Sequence, residues 1–343
     1  MRTEIIDKVG IEAFNFIDKH ANIHHNETLV VSTTNSFNLL TKADIHSIVN
    51  LSKTNNIRYI NKFFLDINKK LNINDTYIGC AELFSARKER KKINKIPILR
   101  SIYFFMEFIF LRVFPKVYGL KKIYFFITRG RNRLLSKGEV LGRLVSCGFE
   151  IGEHVSINGL IYFVVKKNGE PREYVKASYG LLYKMPRIGK NGKIIGVFKF
   201  RTMHPYAEFL QDYMINTYGY AQTGKPANDF RLTPWGRIMR KYWIDELPQL
   251  LNLFKGDLKL VGVRPISQRY FNDIPKELQD LRINHKPGCI PPYIALNRSG
   301  NVESVLEAEK EYLIEKTKNP YFTDLKYFVL AISNILFKNK RSA

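Results

Sequence analysis

The chain has 343 residues, with 55 Lys and Arg against 31 Asp and Glu for a formal charge of +24, and it is 45 % hydrophobic. That composition is too apolar for disorder, and the length suits about two domains, each with its own core. Three dispersed cysteines (Cys80, Cys147 and Cys289) exclude a disulfide framework and a CxxC metal site, and the seven histidines lack HExxH-like spacing. The first residues, MRTEIIDKVGIEAF, carry acids and no apolar segment, unlike a signal peptide, so a reducing cytoplasm is the expected compartment.

In chain order, Thr28–Ser32 reads as a strand, Lys42–Lys53 as a helix capped by Thr41, and Thr76–Leu83 as a second strand. Ser136–Ser146 reads as a helix stopped near Gly148. Phe149–Val155 and Leu160–Lys166 form a hairpin turning at Asn158-Gly159. The polar stretch KKNGEPREYVKASYG then predicts a linker near 168–180, dividing a domain at 1–170 from one at 180–343. The predicted class is α/β: a Rossmann-like N-terminal layer domain followed by a mixed α+β domain. The N-terminal pattern resembles the C-terminal half of a class I methyltransferase. It lacks the glycine-rich strand-to-helix loop that would cradle a nucleotide cofactor, so a degenerate scaffold is expected rather than methyl transfer.

A charge of +24 calls for an anionic partner. No zinc-finger spacing, RNP-like strand or basic region with heptads is present, so nucleic acid is not expected. Long aromatic runs lie among cations over 96–128, the pattern of a lipid interface and an anionic membrane surface. Arg100, Glu107 and Arg112 interrupt Ile96–Phe114, leaving about 11 residues between the arginines where a span needs about 20. Shallow or re-entrant insertion and packing into a core both fit that run. Leu325, Phe328, Val329, Ile332, Ile335 and Leu336 follow helical spacing before Lys338, Lys340 and Arg341, which suits an interfacial helix or a core helix equally.

The most specific chemistry lies in RIGKNGKIIGVFKFRTM (187–203), DFRLTPWGRIMRKYWIDELPQLLNLFKGDLKLVGVRP (229–265) and HKPG (285–288). Thr233 and Pro234 predict a helix start, and the helix runs to about Trp243. A second helix is expected to open at Asp245, carry Pro248 in its first turn and stop at Gly256, packing through Leu247, Leu250, Leu251 and Phe254. Paired acids at a helix start can be simple capping residues. Here Lys199, Arg201, Arg231, Arg240 and Arg264 fall in the same blocks. Acids among cations suit a phosphate substrate with a divalent metal, the carboxylate attacking phosphorus and Arg clamping the oxygens.

These blocks, above all IDELPQLLNLFKGDLKLVGVRP, resemble the bacterial sugar transferase family, the monotopic polyprenyl-phosphate phosphoglycosyl transferases, over about 181–340. The resemblance implies transfer of a sugar 1-phosphate from a nucleotide diphosphate sugar, a UDP-sugar, to polyprenyl phosphate at the cytoplasmic face of the bacterial inner membrane. It implies Asp245 as nucleophile, Glu246 as a ligand of Mg²⁺, and Lys199, Arg201, Arg231, Arg264 and Arg298 as phosphate-binding residues. Three features depart from the family. Its apolar re-entrant helix should lie directly before the catalytic domain, whereas the aromatic segment here lies well upstream. Its GPRP turn reads GVRP at Gly262–Pro265, and its RPGITGWAQV stretch reads KPGCIPPYIAL from Lys286. A non-catalytic member of a glycan-assembly complex that keeps the fold is the alternative reading.

Overall fold

The computed structural model describes residues 2–39, 44–91, 93, 96–117, 119–171, 181–219, 228–298 and 301–337. Its chain gathers into two bodies, the first Met1–Tyr179 with His204–Gly219 and Pro226–Arg231, the second Gly180–Met203, Tyr220–Lys225 and Leu232–Ala343. The sequence suggests one crossing near 168–180, but the chain later returns to the first body. Leu210 and Met214 explain the return, since both are fully buried in the first body's core.

In the first body, α1 (Arg2–Val9) and α2 (Ile11–His20) precede the parallel strands β1 (Thr28–Val31), β2 (Ser47–Lys53) and β3 (Thr76–Glu82), with α3 (Ile60–Lys70) between β2 and β3. Then come α4 (Phe84–Arg90), α5 (Pro97–Phe108), α6 (Leu120–Thr128), α7 (Lys137–Ser146), and the hairpin β4 (Phe149–Ile157) and β5 (Leu160–Lys167). Among the described residues the sheet order is β1-β2-β3-β5-β4, with β5 antiparallel to both neighbours. The neighbours Ile48 and Val49, like Tyr77 and Ile78, enter opposite cores because strand side chains alternate. One core packs on α2 through Phe14 and Ile17. The other packs on α3, α7 and α8 (Gln211–Tyr218) through Phe64, Leu141 and Met214. The α/β expectation agrees with this layering.

Local signals held where turn chemistry decides the outcome. Ser136 caps α7 by accepting from Glu139 N at 3.2 Å, and Asn158 (φ 49°) with Gly159 (φ 76°) makes the tight hairpin turn. The helix expected over 42–53 is instead strand β2 from Ser47 to Lys53, because β-branched Ile48 and Val49 are buried on opposite faces between β1 and β3. Its proposed cap, Thr41, lies outside the described residues.

The aromatic segment forms α5, a π-helical turn at Ile109–Val113 and α6. Two of its charges, Glu107 and Arg112, point inward. Glu107 pairs with Arg87 at 2.8 Å and with Lys91, while Arg112 pairs with Glu139 at 3.1 Å and donates to the Leu134 carbonyl at 2.9 Å. Its apolar side chains face outward: Ile98 is 77 % exposed, Phe105 63 % and Phe126 87 %. This inverts the pattern of a water-facing helix. Among the described residues no helix is long and apolar enough to cross a membrane.

The second body begins with the antiparallel hairpin β6 (Leu182–Ile188) and β7 (Ile194–Phe200). After α9 (Pro234–Lys241), a 3₁₀ segment Ile244–Gln249 leads into α10 (Leu250–Phe254). Strand β8 (Lys259–Val261) pairs in parallel with β9 (Gly288–Ile290), and between them lie α11 (Gln268–Asp273) and α12 (Lys276–Ile283). The helices α13 (Pro292–Ala295), α14 (Val302–Lys318) and α15 (Phe322–Phe337) complete a core of Val261, Leu278, Leu313, Tyr327 and Ala331. Thr323, Tyr327, Ala331 and Asn334 are the buried side of α15, whereas Leu325, Val329 and Leu336 of the expected stripe are exposed. Lys338, Lys340 and Arg341 lie outside the described residues.

Candidate active site

The site is built on the run from Thr233 to Phe254. Thr233 caps α9 by accepting from Gly236 N at 3.0 Å. Gly236 is required there, because a Cβ would stand 2.2 Å from the Thr202 carbonyl oxygen. The helix ends at Lys241, and two residues on Trp243 is held at φ 57°, a left-handed conformation that a bulky side chain rarely adopts. Such backbone strain clusters at functional sites. Immediately after this reversal stand Asp245 and Glu246.

Two expectations need correction here. Asp245 is the second residue of a 3₁₀ segment, so it does not open an α-helix or occupy its N-cap; Trp243 holds the capping position. The stripe of Leu247, Leu250, Leu251 and Phe254 does not pack inward, being 55 %, 46 %, 45 % and 86 % exposed. A polar anchor holds α10 instead. Fully buried Asn252 accepts from Phe198 N at 2.9 Å and donates to the Gly196 carbonyl at 2.7 Å, tying α10 to β7. Gly256, at φ 74°, ends the helix as expected.

From β7, Lys199 Nζ reaches Glu246 Oε1 at 2.6 Å. Arg264, in the turn after β8, approaches the same oxygen at 3.6 Å, and Gln249 Nε2 donates to Oε2 at 3.1 Å. Burial alone would raise the pKa of Glu246, but Lys199 and Arg264 outweigh it and hold the carboxyl below its ordinary range. Asp245 goes the other way: burial dominates and raises its pKa, opposed in part by Lys199 and Arg240. Environments that push two adjacent carboxyls in opposite directions suit them to different protonation behaviour.

The sequence-derived residues fall into distinct places. Lys199 and Arg264 meet the acid pair. Arg201 lies over the Tyr183 ring, 5.0 Å from its centroid. Arg298 pairs with Glu311 at 2.9 Å. Arg231 is buried in the first body, where its guanidinium holds Asp229 at 2.8 Å and donates to Gln211. Three contributors were not singled out in the sequence. Tyr293 accepts from Arg264 Nη1 at 3.2 Å, Gln249 holds Glu246, and Arg282, paired with buried Glu309, donates to the Arg264 carbonyl. Tyr293 sits in KPGCIPPYIAL, the stretch that departs from the family pattern, which was the available signal.

Among the described residues no three His, Cys, Asp or Glu side chains converge as a metal cage. Mg²⁺ does not need one, since it commonly takes one or two carboxylates and completes its shell with water and substrate phosphates. Glu246 accepts one close hydrogen bond on each oxygen, and a carboxylate offers about four acceptor positions, so capacity for a cation remains beside Asp245.

A model of the family described as bacterial sugar transferase matches residues 174–338. The uncharacterized sugar transferase EpsL of Bacillus subtilis is 33 % identical over 164 residues, covering 47 % of this chain and 73 % of that protein. The undecaprenyl-phosphate galactose phosphotransferase of Salmonella typhimurium is 34 % identical over 137 residues, or 37 % of this chain and 26 % of its own length. The galactosyl transferase CpsE of Streptococcus agalactiae is 28 % identical over 175 residues, or 50 % and 36 %. This chain therefore spans only about a quarter to a third of the last two relatives. With the acid pair, its cations and the matching blocks in one body, the chain belongs to the bacterial sugar transferase family.

Proposed function

We propose that this protein transfers a sugar 1-phosphate from a UDP-sugar to polyprenyl phosphate, an early step of surface polysaccharide assembly. The observation that carries the reading is the pairing of a buried, raised-pKa Asp245 with a cation-held Glu246. Family membership and the relatives' printed activities support it.

An Asp245 carboxylate oxygen attacks the β-phosphorus of the donor. A bond from that oxygen to phosphorus forms, the bond from the β-phosphorus to the bridging oxygen breaks, and UMP leaves with the electron pair. An oxygen of polyprenyl phosphate then attacks the same phosphorus and returns Asp245 as a carboxylate, leaving a polyprenyl diphosphate sugar. Splitting the transfer lets one site serve a soluble donor and a lipid acceptor in turn. Lys199, Arg240 and Arg264 lower the repulsion between an anionic nucleophile and an anionic phosphate. Glu246 would hold Mg²⁺, which supplies charge neutralisation on the diphosphate oxygens.

The setting we propose is an anionic membrane surface, at the cytoplasmic face. The outward apolar side of α5 and α6, with exposed Arg100, Lys121, Lys122 and Arg129 around it, supports that contact. The test is turnover of a UDP-sugar panel with polyprenyl phosphate and Mg²⁺. UMP release dependent on the lipid and on one sugar supports the reading. Absence of release from every donor favours a non-catalytic assembly partner.

A further inference from the structure

The first body contains a cavity of about 300 Å³ that the transfer chemistry does not involve. It opens at the carboxyl edge of the parallel strands, where α/β sheets characteristically bind ligands. Lys53 and Glu82 are the last residues of β2 and β3 and both line it. Lys8 from the end of α1, Arg90 from the end of α4, Asn158 from the hairpin turn and Tyr162 from β5 complete the wall. Side chains far apart in sequence thus meet at one concavity.

Its charges are unbalanced. Glu82 is nearly buried and already neutralised, accepting from Arg90 at 2.6 Å and facing Arg87 at 3.5 Å. Among the described residues neither Lys8 nor Lys53 forms an ion pair, so two lysines line the cavity without a carboxylate of their own. Asn158 and Tyr162 add an amide and a hydroxyl able to donate to oxygen. The volume lies at the low end of small-molecule sites, roughly 300–1,000 Å³, which suits one compact ligand.

We propose that this cavity binds a small phosphomonoester, a mononucleotide or a sugar phosphate, with its phosphate between Lys8 and Lys53. The phosphate dianion supplies the charge that the two lysines lack, and Arg90, which also lines the cavity, adds a guanidinium beside Glu82. A ligand here would load a site separate from the acid pair, giving this N-terminal body a binding role that its missing glycine-rich loop does not predict.

The test is titration calorimetry of the full chain with AMP, glucose 1-phosphate and inorganic phosphate as probes. Three proteins are compared: the unaltered chain, Lys8→Gln with Lys53→Gln, and Arg264→Gln. The expected result is saturable binding of AMP or glucose 1-phosphate that weakens roughly tenfold or more in the double variant and is unchanged by Arg264→Gln. Hydrogen exchange should slow at 82–90 and 158–162 on binding. Inorganic phosphate binding as tightly as the esters would assign the site to the free anion instead and overturn the ester proposal. Binding that ignores the lysines but weakens with Arg264→Gln, or no saturable binding of any probe, overturns it as well. If the double variant does not fold, Lys8→Gln alone, on an exposed helix end, makes the same comparison with a smaller expected loss.

Discussion

Replacing Lys199 with Met removes the ammonium while keeping the length of the side chain. At 2.6 Å, with an effective dielectric of about 20, the gross attraction to Glu246 is roughly 6 kcal/mol. Most of that offsets desolvation. The two side chains are 16 % and 25 % exposed, between surface pairs worth about 0–1 kcal/mol and buried pairs whose breakage costs about 3–5. Burial depresses the pKa of Lys199 despite Glu246, which places the net value low in that interval, at about 1–2 kcal/mol. In the variant Glu246 keeps Gln249 at 3.1 Å and Arg264 at 3.6 Å. Urea unfolding followed by tryptophan fluorescence reads this directly, because Trp235 and Trp243 both lie in the second body. A double-mutant cycle with Glu246→Gln should return a coupling of about 1–2 kcal/mol. Losses that add to within about 0.3 kcal/mol would refute the claimed pairing.

Arg282→Met leaves Glu309, only 3 % exposed, without its partner, and should cost about 3–5 kcal/mol in the same urea assay; a loss under about 1 kcal/mol would remove Arg282 as the support of the Arg264 turn. The pH profile of kcat/KM should show an acid limb above the usual aspartate value of about 3.9, because burial raises the pKa of Asp245 and only its ionised form attacks. For Glu246 the sign is opposite: its depressed pKa gives stability that is present above about pH 4.3 and lost as the pH falls through the folded value. Phe105→Glu with Phe126→Glu, two exposed positions, should weaken sedimentation with anionic vesicles without changing the circular dichroism spectrum; unchanged sedimentation would exclude α5 and α6 as the contact.

Local chemistry made much of this molecule legible from its residues. Ser136 and Thr233 as caps, Asn158-Gly159 as a turn and Gly256 as a helix stop all depend on neighbours within a few positions. Strand β2 differs from the helix expected over 42–53 because its partners, β1 and β3, are set by long-range pairing that helical periodicity cannot reveal. The stripe on α10 shows a related limit. Spacing identifies Leu247, Leu250, Leu251 and Phe254 as one face, yet the side that is anchored depends on Asn252 meeting Gly196 and Phe198 of β7. In the site, adjacency made Asp245 and Glu246 visible, whereas Tyr293 and Arg282 act through Arg264 from distant segments. Arg231 shows the reverse case: it lies in a block rich in site residues, yet Asp229 and Gln211 engage its guanidinium in the first body.

The central claim is that Asp245 carries the sugar phosphate covalently. Because Asp245 does not cap a helix, Asp245→Asn removes the nucleophilic charge without removing a helix cap. The decisive measurement is single-turnover incubation of each protein with a UDP-sugar labelled in the sugar, with Mg²⁺ and without polyprenyl phosphate. The unaltered protein should release about one UMP per site and retain label on the chain, which polyprenyl phosphate then removes; Asp245→Asn should do neither. UMP release by Asp245→Asn at the rate of the unaltered protein, or lipid-dependent turnover with no label ever retained, would contradict the assignment.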